Sequence, residues 1–161
     1  MSAQPVGQHP NTLASLVGSG DRIAVLTLPF LLVGLVLNAL YPELFTLGGA
    51  RRILTVVSVL LLLPGVIIWI WSAVLILIKV PRGELITSGP YSLLRHPLYT
   101  AVALLVAPAV GFLCDSWYGV VVGAALYVGS RLFSPLEEKE LAGRFGPAWD
   151  NYCKTVKLPW L

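Results

Sequence analysis

The sequence predicts an all-α, polytopic membrane helical bundle of about four transmembrane helices, with a C-terminal helical hairpin and its polar segments gathered on one side. Two observations carry that expectation. The chain is 57% hydrophobic, 12% charged and has a mean hydropathy of +0.81, whereas a soluble domain has about a quarter of its residues charged. So few charges leave too little polar surface to cover a globule in water, so lipid is the solvent for much of the chain. The apolar residues also fall in runs near the ~20 residues that a helix needs to cross a hydrocarbon core about 30 Å thick. At 161 residues the chain is short enough for one domain, read as residues 1–161. Its net charge is +3, but no run of Lys and Arg interleaved with aromatics suggests a nucleic-acid surface.

Residues 1–20 are weakly apolar, carry no charged side chain and lack an apolar core long enough for a signal peptide. They read as a surface arm with a solvated His9. The first span is expected at 23–40, entered at Asp21 and Arg22 and left at Tyr41-Pro42. The second, at 53–78, has residues to spare, and Pro64-Gly65 in its middle predicts a kink. Trp69 and Trp71 are placed either to anchor at an interface or to pack in the bundle.

Spans at 98–113 and 118–133 are barely long enough to cross, and only Cys114-Asp115-Ser116-Trp117 parts them. Gly119, Gly123, Ala124 and Gly129 recur at spacings that let another helix approach closely. The pair therefore reads as a tight hairpin.

Orientation follows from the basic residues. With four spans, Arg22, Lys79, Arg82, Arg95, Arg131, Lys139, Arg144, Lys154 and Lys157 share one side, against Arg51 and Arg52 on the other. Both termini and the central loop are thus expected on the cytoplasmic side of a plasma (inner) membrane. Cys114 and Cys153 then lie on opposite sides, where no disulfide joins them.

Two segments are unusually polar for so apolar a chain. One is 79–100, KVPRGELITSGPYSLLRHPLYT; the other is 131–161, RLFSPLEEKELAGRFGPAWDNYCKTVKLPWL. Together they hold Glu84, Glu137, Glu138, Glu140 and Asp150, five of the eight acidic residues. Both border the hairpin, so the fold brings them to the same side. In Gly89-Pro90-Tyr91 the glycine permits a sharp turn and the proline fixes the next backbone angle. Pro97 suits the first turn of the third span, where its missing N–H goes unused. Arg95, His96 and Tyr99 then stand at that helix's start, where a ring nitrogen meets either a polar ligand or nothing but its own helix. On spacing alone, Arg95 as a lipid-phosphate anchor and His96 as a helix cap is the preferred reading. Glu137 and Glu138 are read as opening a final helix, where carboxylates suit the positive end of the dipole. Glu140 and Arg144 are spaced to pair along an exposed face. No His/Cys/Asp cluster has metal-ligand spacing, and no second histidine lies near Cys153 to activate it as a nucleophile.

The string Gly89-Pro90-Tyr91-x-x-x-Arg95-His96-Pro97-x-Tyr99, followed by a hairpin and then Glu137-Glu138-x-x-Leu141-x-x-x-Phe145-Gly146, resembles the isoprenylcysteine carboxyl methyltransferase and phospholipid methyltransferase superfamily. The likeness covers residues 85–161, while the first two spans match only in being hydrophobic. It implies that S-adenosylmethionine binds on the cytoplasmic side between the segments 79–100 and 131–161, and that the acceptor arrives from the membrane. The acceptor would be an isoprenylcysteine carboxylate-like group, a phospholipid or a thiol. By the same resemblance Tyr91, Arg95, His96, Tyr99, Glu137 and Glu138 bind the cofactor. His96, Glu138 and Arg131 are the catalytic candidates, with Arg131 touching the cofactor carboxylate or the acceptor.

These residue types suit the implied chemistry. A sulfonium methyl group is already activated, so transfer depends on positioning and desolvation rather than on a metal or a covalent nucleophile. A thiolate or carboxylate acceptor is helped by a nearby cation; an amine needs a proton acceptor, for which His96 and Glu138 are placed. Membrane sterol and steroid reductases, which use NADPH, are similar around the same Gly-Pro-Tyr and Arg-His-Pro strings and around Gly146-x-x-Trp149-x-x-Tyr152-Cys153. They commonly follow the motif's tyrosine with glycine and an acidic residue, where this chain has Thr100-Ala101. A non-catalytic lipid-binding bundle is the third reading.

Overall fold

The computed structural model describes residues 20–158, with side chains from residue 23 onward. His9 and the side chains of Asp21 and Arg22 lie outside that range. Helix α1 is Gly20–Leu40, followed by the single helical turn Pro42–Phe45; α2 is Arg51–Lys79. Two 3₁₀ turns, Val80–Arg82 and Gly89–Ser92, lead to α3, Pro97–Leu113, then α4, Tyr118–Phe145, and α5, Pro147–Thr155. The chain is an all-α membrane bundle. Among the described residues no strand forms, only an isolated bridge between Thr46 and Ser116. Three helices (α1, α2 and α4) are long and apolar enough to cross a membrane, and α3 is a shorter apolar helix. Proline at its start and the hairpin turn at its end confine α3 to about 25 Å of rise. That is a little under the hydrocarbon thickness of ~30 Å.

The helices lie side by side in the order α1, α4, α3, α2. The hairpin α3–α4 is the centre of this row. A Cβ built on Gly111 meets Gly119 Cα at 2.7 Å and Ser116 O at 2.7 Å; one on Gly119 collides with Ala107 O, and one on Gly123 with Ala103 O. Backbone therefore packs on backbone, as the spacing of small residues predicts. Gly129 belongs to a different face and meets Leu26 Cδ2 of α1 at 3.2 Å. So α4 uses Gly119 and Gly123 for α3 and Gly129 for α1. Gly34 of α1 returns the contact by admitting the Tyr118 ring, whose hydroxyl donates to Phe30 O at 2.6 Å.

Helix α2 runs unbroken through Pro64. The Pro64-Gly65 pair is a docking site. Gly65 is buried, and a Cβ there meets Leu105 Cβ at 2.8 Å and Val106 Cγ2 at 3.0 Å. On the facing helix, Val102–Val106 is widened into a π turn in which the Ala107 N–H reaches Val102 O. Pro108 follows directly and has no N–H for the carbonyl four residues back, so the ladder is already broken there and an extra residue fits in the turn.

At the end opposite the polar segments, the Pro42–Phe45 turn grips the hairpin tip. The Trp117 N–H donates to Phe45 O at 3.0 Å, Leu47 N–H to Asp115 O at 3.2 Å and Trp117 Nε1–H to Leu44 O at 3.0 Å. Ser116 Oγ donates to Asn38 Oδ1 at 3.0 Å. The outward faces of α1 and α2 are apolar and exposed, Val25 and Leu60 among them. Such continuous apolar surface belongs in lipid rather than water.

Helix α4 has 28 residues, about 42 Å of rise against ~30 Å of hydrocarbon. About 12 Å of it, the polar last two turns from Glu138 on, therefore exceeds the hydrocarbon thickness. Gly146, at φ +50, ends the helix, and Pro147 starts α5. Trp149, Tyr152 and Val156 of this last segment are buried against Leu85, Leu141, Ala142, Phe145 and Cys153. That cluster ties the end of α4 to the 79–96 connection.

Candidate active site

Three side chains from two separate stretches of sequence meet at the polar end. Glu138, on the overhang of α4, faces the start of α3. Arg95 Nη1 donates to Glu138 Oε2 at 3.2 Å and lies 3.4 Å from Oε1. His96 Nε2 lies 3.2 Å from Oε1. The His96 side chain is nearly buried, while Arg95 and Glu138 keep about a quarter of theirs exposed. The His96 hydrogen bond is the largest influence on Glu138, and with the Arg95 charge it outweighs partial burial to hold the carboxyl below its usual range. An ionised carboxylate only accepts, so the shared proton sits on His96 Nε2.

The remaining expected residues fall into three groups. Tyr99 stacks on His96, with ring centroids 6.2 Å apart and planes at 25°. Tyr91 and Glu137 are half-buried beside this group. Burial, and then the negative charge of Glu137, push the Tyr91 phenol far above its ordinary pKa, so it stays neutral. Arg131 stands apart. It is exposed, and it sits on the Glu138 face of α4, about 10 Å back toward the membrane.

Two plain alternatives are settled by these contacts. His96 occupies the N-cap position of α3, but its side chain makes no capping hydrogen bond; it turns to Glu138 instead. Glu137 and Glu138 do not open a helix, since α4 runs through them to Phe145 and the next helix starts at Pro147. A favourable helix dipole therefore does not explain them. Arg95 pairs with Glu138 through Nη1. Arg144, spaced to pair with Glu140, lies over the Phe145 ring at 5.4 Å.

One participant had no assigned role in the sequence. Tyr152 of α5 is buried, and its hydroxyl donates to the Tyr91 carbonyl at 2.8 Å. The available signal was the spacing of Trp149, Tyr152 and Val156, which puts them on one helical face. Neighbouring Cys153 is a free thiol whose pKa burial raises, so it is not an activated nucleophile.

A zwitterionic sulfonium donor fits this residue set on one specific observation. Arg95 Nε is buried and has no hydrogen-bond partner, a donor left open for an acceptor such as a carboxylate. For such a donor the rings of Tyr91, Tyr99 and His96 would be the stacking surface, and Glu137 and Glu138 the acceptors for ammonium or ribose groups.

Fold and contacts together define a class no finer than the helical membrane proteins, here with a carboxylate, a guanidinium and an imidazole brought together at one end of the bundle. The family model of the isoprenylcysteine carboxyl methyltransferase (ICMT) family matches residues 52–142, and the chain belongs to that family of membrane methyltransferases. The match takes in all but the first residue of α2, together with α3 and α4 through Ala142. The second span is thus part of the family unit, which its direct packing on α3 through Gly65 explains, while α5 lies beyond the match. Neither a curated protein nor a solved structure matches the sequence.

Proposed function

We propose that this chain transfers a methyl group from S-adenosylmethionine to a lipophilic or membrane-accessible acceptor: an isoprenylcysteine carboxylate-like group, a phospholipid or a thiol. In this reading residues 1–161 act as one membrane unit, with both termini on the cytoplasmic side of a plasma (inner) membrane. The observation that carries it is the contact of Glu138 with both Arg95 and His96, within a chain of methyltransferase ancestry.

The bound donor supplies a methyl group already activated by its sulfonium. The protein's part is to hold and dehydrate. Arg95 takes the donor's carboxylate through its open Nε–H. Glu137 and Glu138 take its ammonium or ribose, and Tyr91, Tyr99 and His96 stack on its base. Arg131, exposed on the same face of α4, meets an acceptor coming from the lipid. An anionic acceptor is drawn by its charge; an amine gives its proton to His96 Nδ1, the ring atom that the Glu138 contact leaves open.

Calorimetry on the detergent-purified protein tests this reading. Heat on adding S-adenosylmethionine and S-adenosylhomocysteine, with none on adding NADPH, is the expected result. Binding of NADPH alone would make the chain a reductase of the sterol type. Silence with all three would make it a non-catalytic lipid-binding bundle.

A further inference from the structure

The connection that presents Arg95 and His96 is short of internal support. Within it, Leu93 and Leu94 N–H both use the Pro90 carbonyl, and Ser92 Oγ uses Gly89 O. The carbonyls of Tyr91 and Leu93 are taken by groups more than sixty positions away in sequence. Tyr152 Oη–H donates to Tyr91 O at 2.8 Å, and Leu158 N–H to Leu93 O at 2.9 Å. Both donors lie in the last segment of the chain, beyond the family match. That segment is held by the buried cluster of Trp149, Tyr152 and Val156, which also packs on Leu141, Ala142 and Phe145, the turns of α4 just past Glu138. One element therefore touches both halves of the site: the backbone that carries Arg95 and His96, and the helix that carries Glu138.

We propose that Tyr152 is a positioning residue, whose hydroxyl fixes the Tyr91 carbonyl and thereby holds Arg95 and His96 at contact distance from Glu138. Its ring packs in the α5 cluster while its hydroxyl acts on the other wall of the site, so the two roles separate by substitution. This rests on the methyltransferase reading for its consequence in binding, but not for its structural content.

The test compares Y152F, which removes only the hydroxyl, with W149F, which trims the same cluster and leaves the hydroxyl in place. Amide hydrogen exchange on the full chain in detergent, with no ligand added, should rise across residues 91–96 in Y152F and stay at the wild-type rate in W149F. S-adenosylhomocysteine affinity should fall about three- to tenfold in Y152F, the range for one neutral hydrogen bond. The acid limb of that binding reports Glu138, which Arg95 and His96 face from the α3 side, Tyr152 and Cys153 from α5 and Glu137 from its own helix. It should move to higher pH in Y152F as Arg95 and His96 retreat; a loss of packing alone lowers the melting temperature and leaves the limb in place. Wild-type exchange in Y152F, or equal exchange in both variants, overturns the proposal. If the wild type binds no S-adenosylhomocysteine, the methyltransferase reading fails while the exchange comparison still decides the role of Tyr152.

Discussion

Glu138 shows how far a single residue was legible. Its place beside Glu137, after a hairpin and an Arg-His-Pro string, marked it through resemblance, yet spacing alone favoured a helix-dipole role. What sequence does not carry is that α4 continues unbroken past the membrane, so that Glu138 lands against Arg95 and His96. The same contacts give a pH expectation. A carboxyl whose folded pKa lies below its ordinary value contributes stability that is present above the ordinary carboxylate pKa and lost as pH falls through the folded one. His96→Ala removes the largest cause of the depression. S-adenosylhomocysteine binding and thermal stability of the variant should therefore begin to fail at higher pH on the acid side than in the wild type. Superimposable acid limbs would detach His96 from Glu138. Tyr152 was hidden for a different reason. Its partner is a backbone carbonyl, which leaves no mark in the sequence.

At the scale of elements, the hairpin was readable because small residues at helical spacing have one main use in lipid. Its finer division was not, because Gly119, Gly123 and Gly129 look alike in sequence while serving two neighbours. Gly119→Ala places a methyl group against Ala107 O and the Gly111 backbone, atoms that cannot swing aside. It should cost about 1–3 kcal/mol, read as a lower melting temperature in detergent. Gly143→Ala meets nothing within 4 Å on the same helix and should instead gain about 0.5–1 kcal/mol from helix propensity. Equal effects from the two substitutions would mean that the α3–α4 approach is looser than described. Pro64-Gly65 met a similar limit: a Pro-Gly pair signals a local irregularity, but only the partner helix reveals that Gly65 is a contact surface.

For the whole molecule, composition fixed the solvent and the hydrophobic runs fixed the approximate number of helices, whereas their lateral order was not in the pattern. Consecutive spans α1 and α2 flank the row, and the connection between them is free to grip the hairpin tip. That arrangement leaves Cys114 exposed at the tip and Cys153 at the opposite end beside Glu138. In sealed right-side-out vesicles, a membrane-impermeant maleimide should label Cys114 and spare Cys153, and inverted vesicles should not label Cys114. Labelling of Cys114 from the inner face would reverse the proposed orientation. The most direct test of the central claim is transfer of a radiolabelled methyl group from S-adenosylmethionine into extracted membrane lipids and thiols, wild type against E138Q. The account predicts a labelled product with the wild type, and a rate about ten- to a hundredfold lower with E138Q at limiting donor, the value of one charge-assisted contact. Undiminished transfer by E138Q, or no label above background with the wild type, would contradict it.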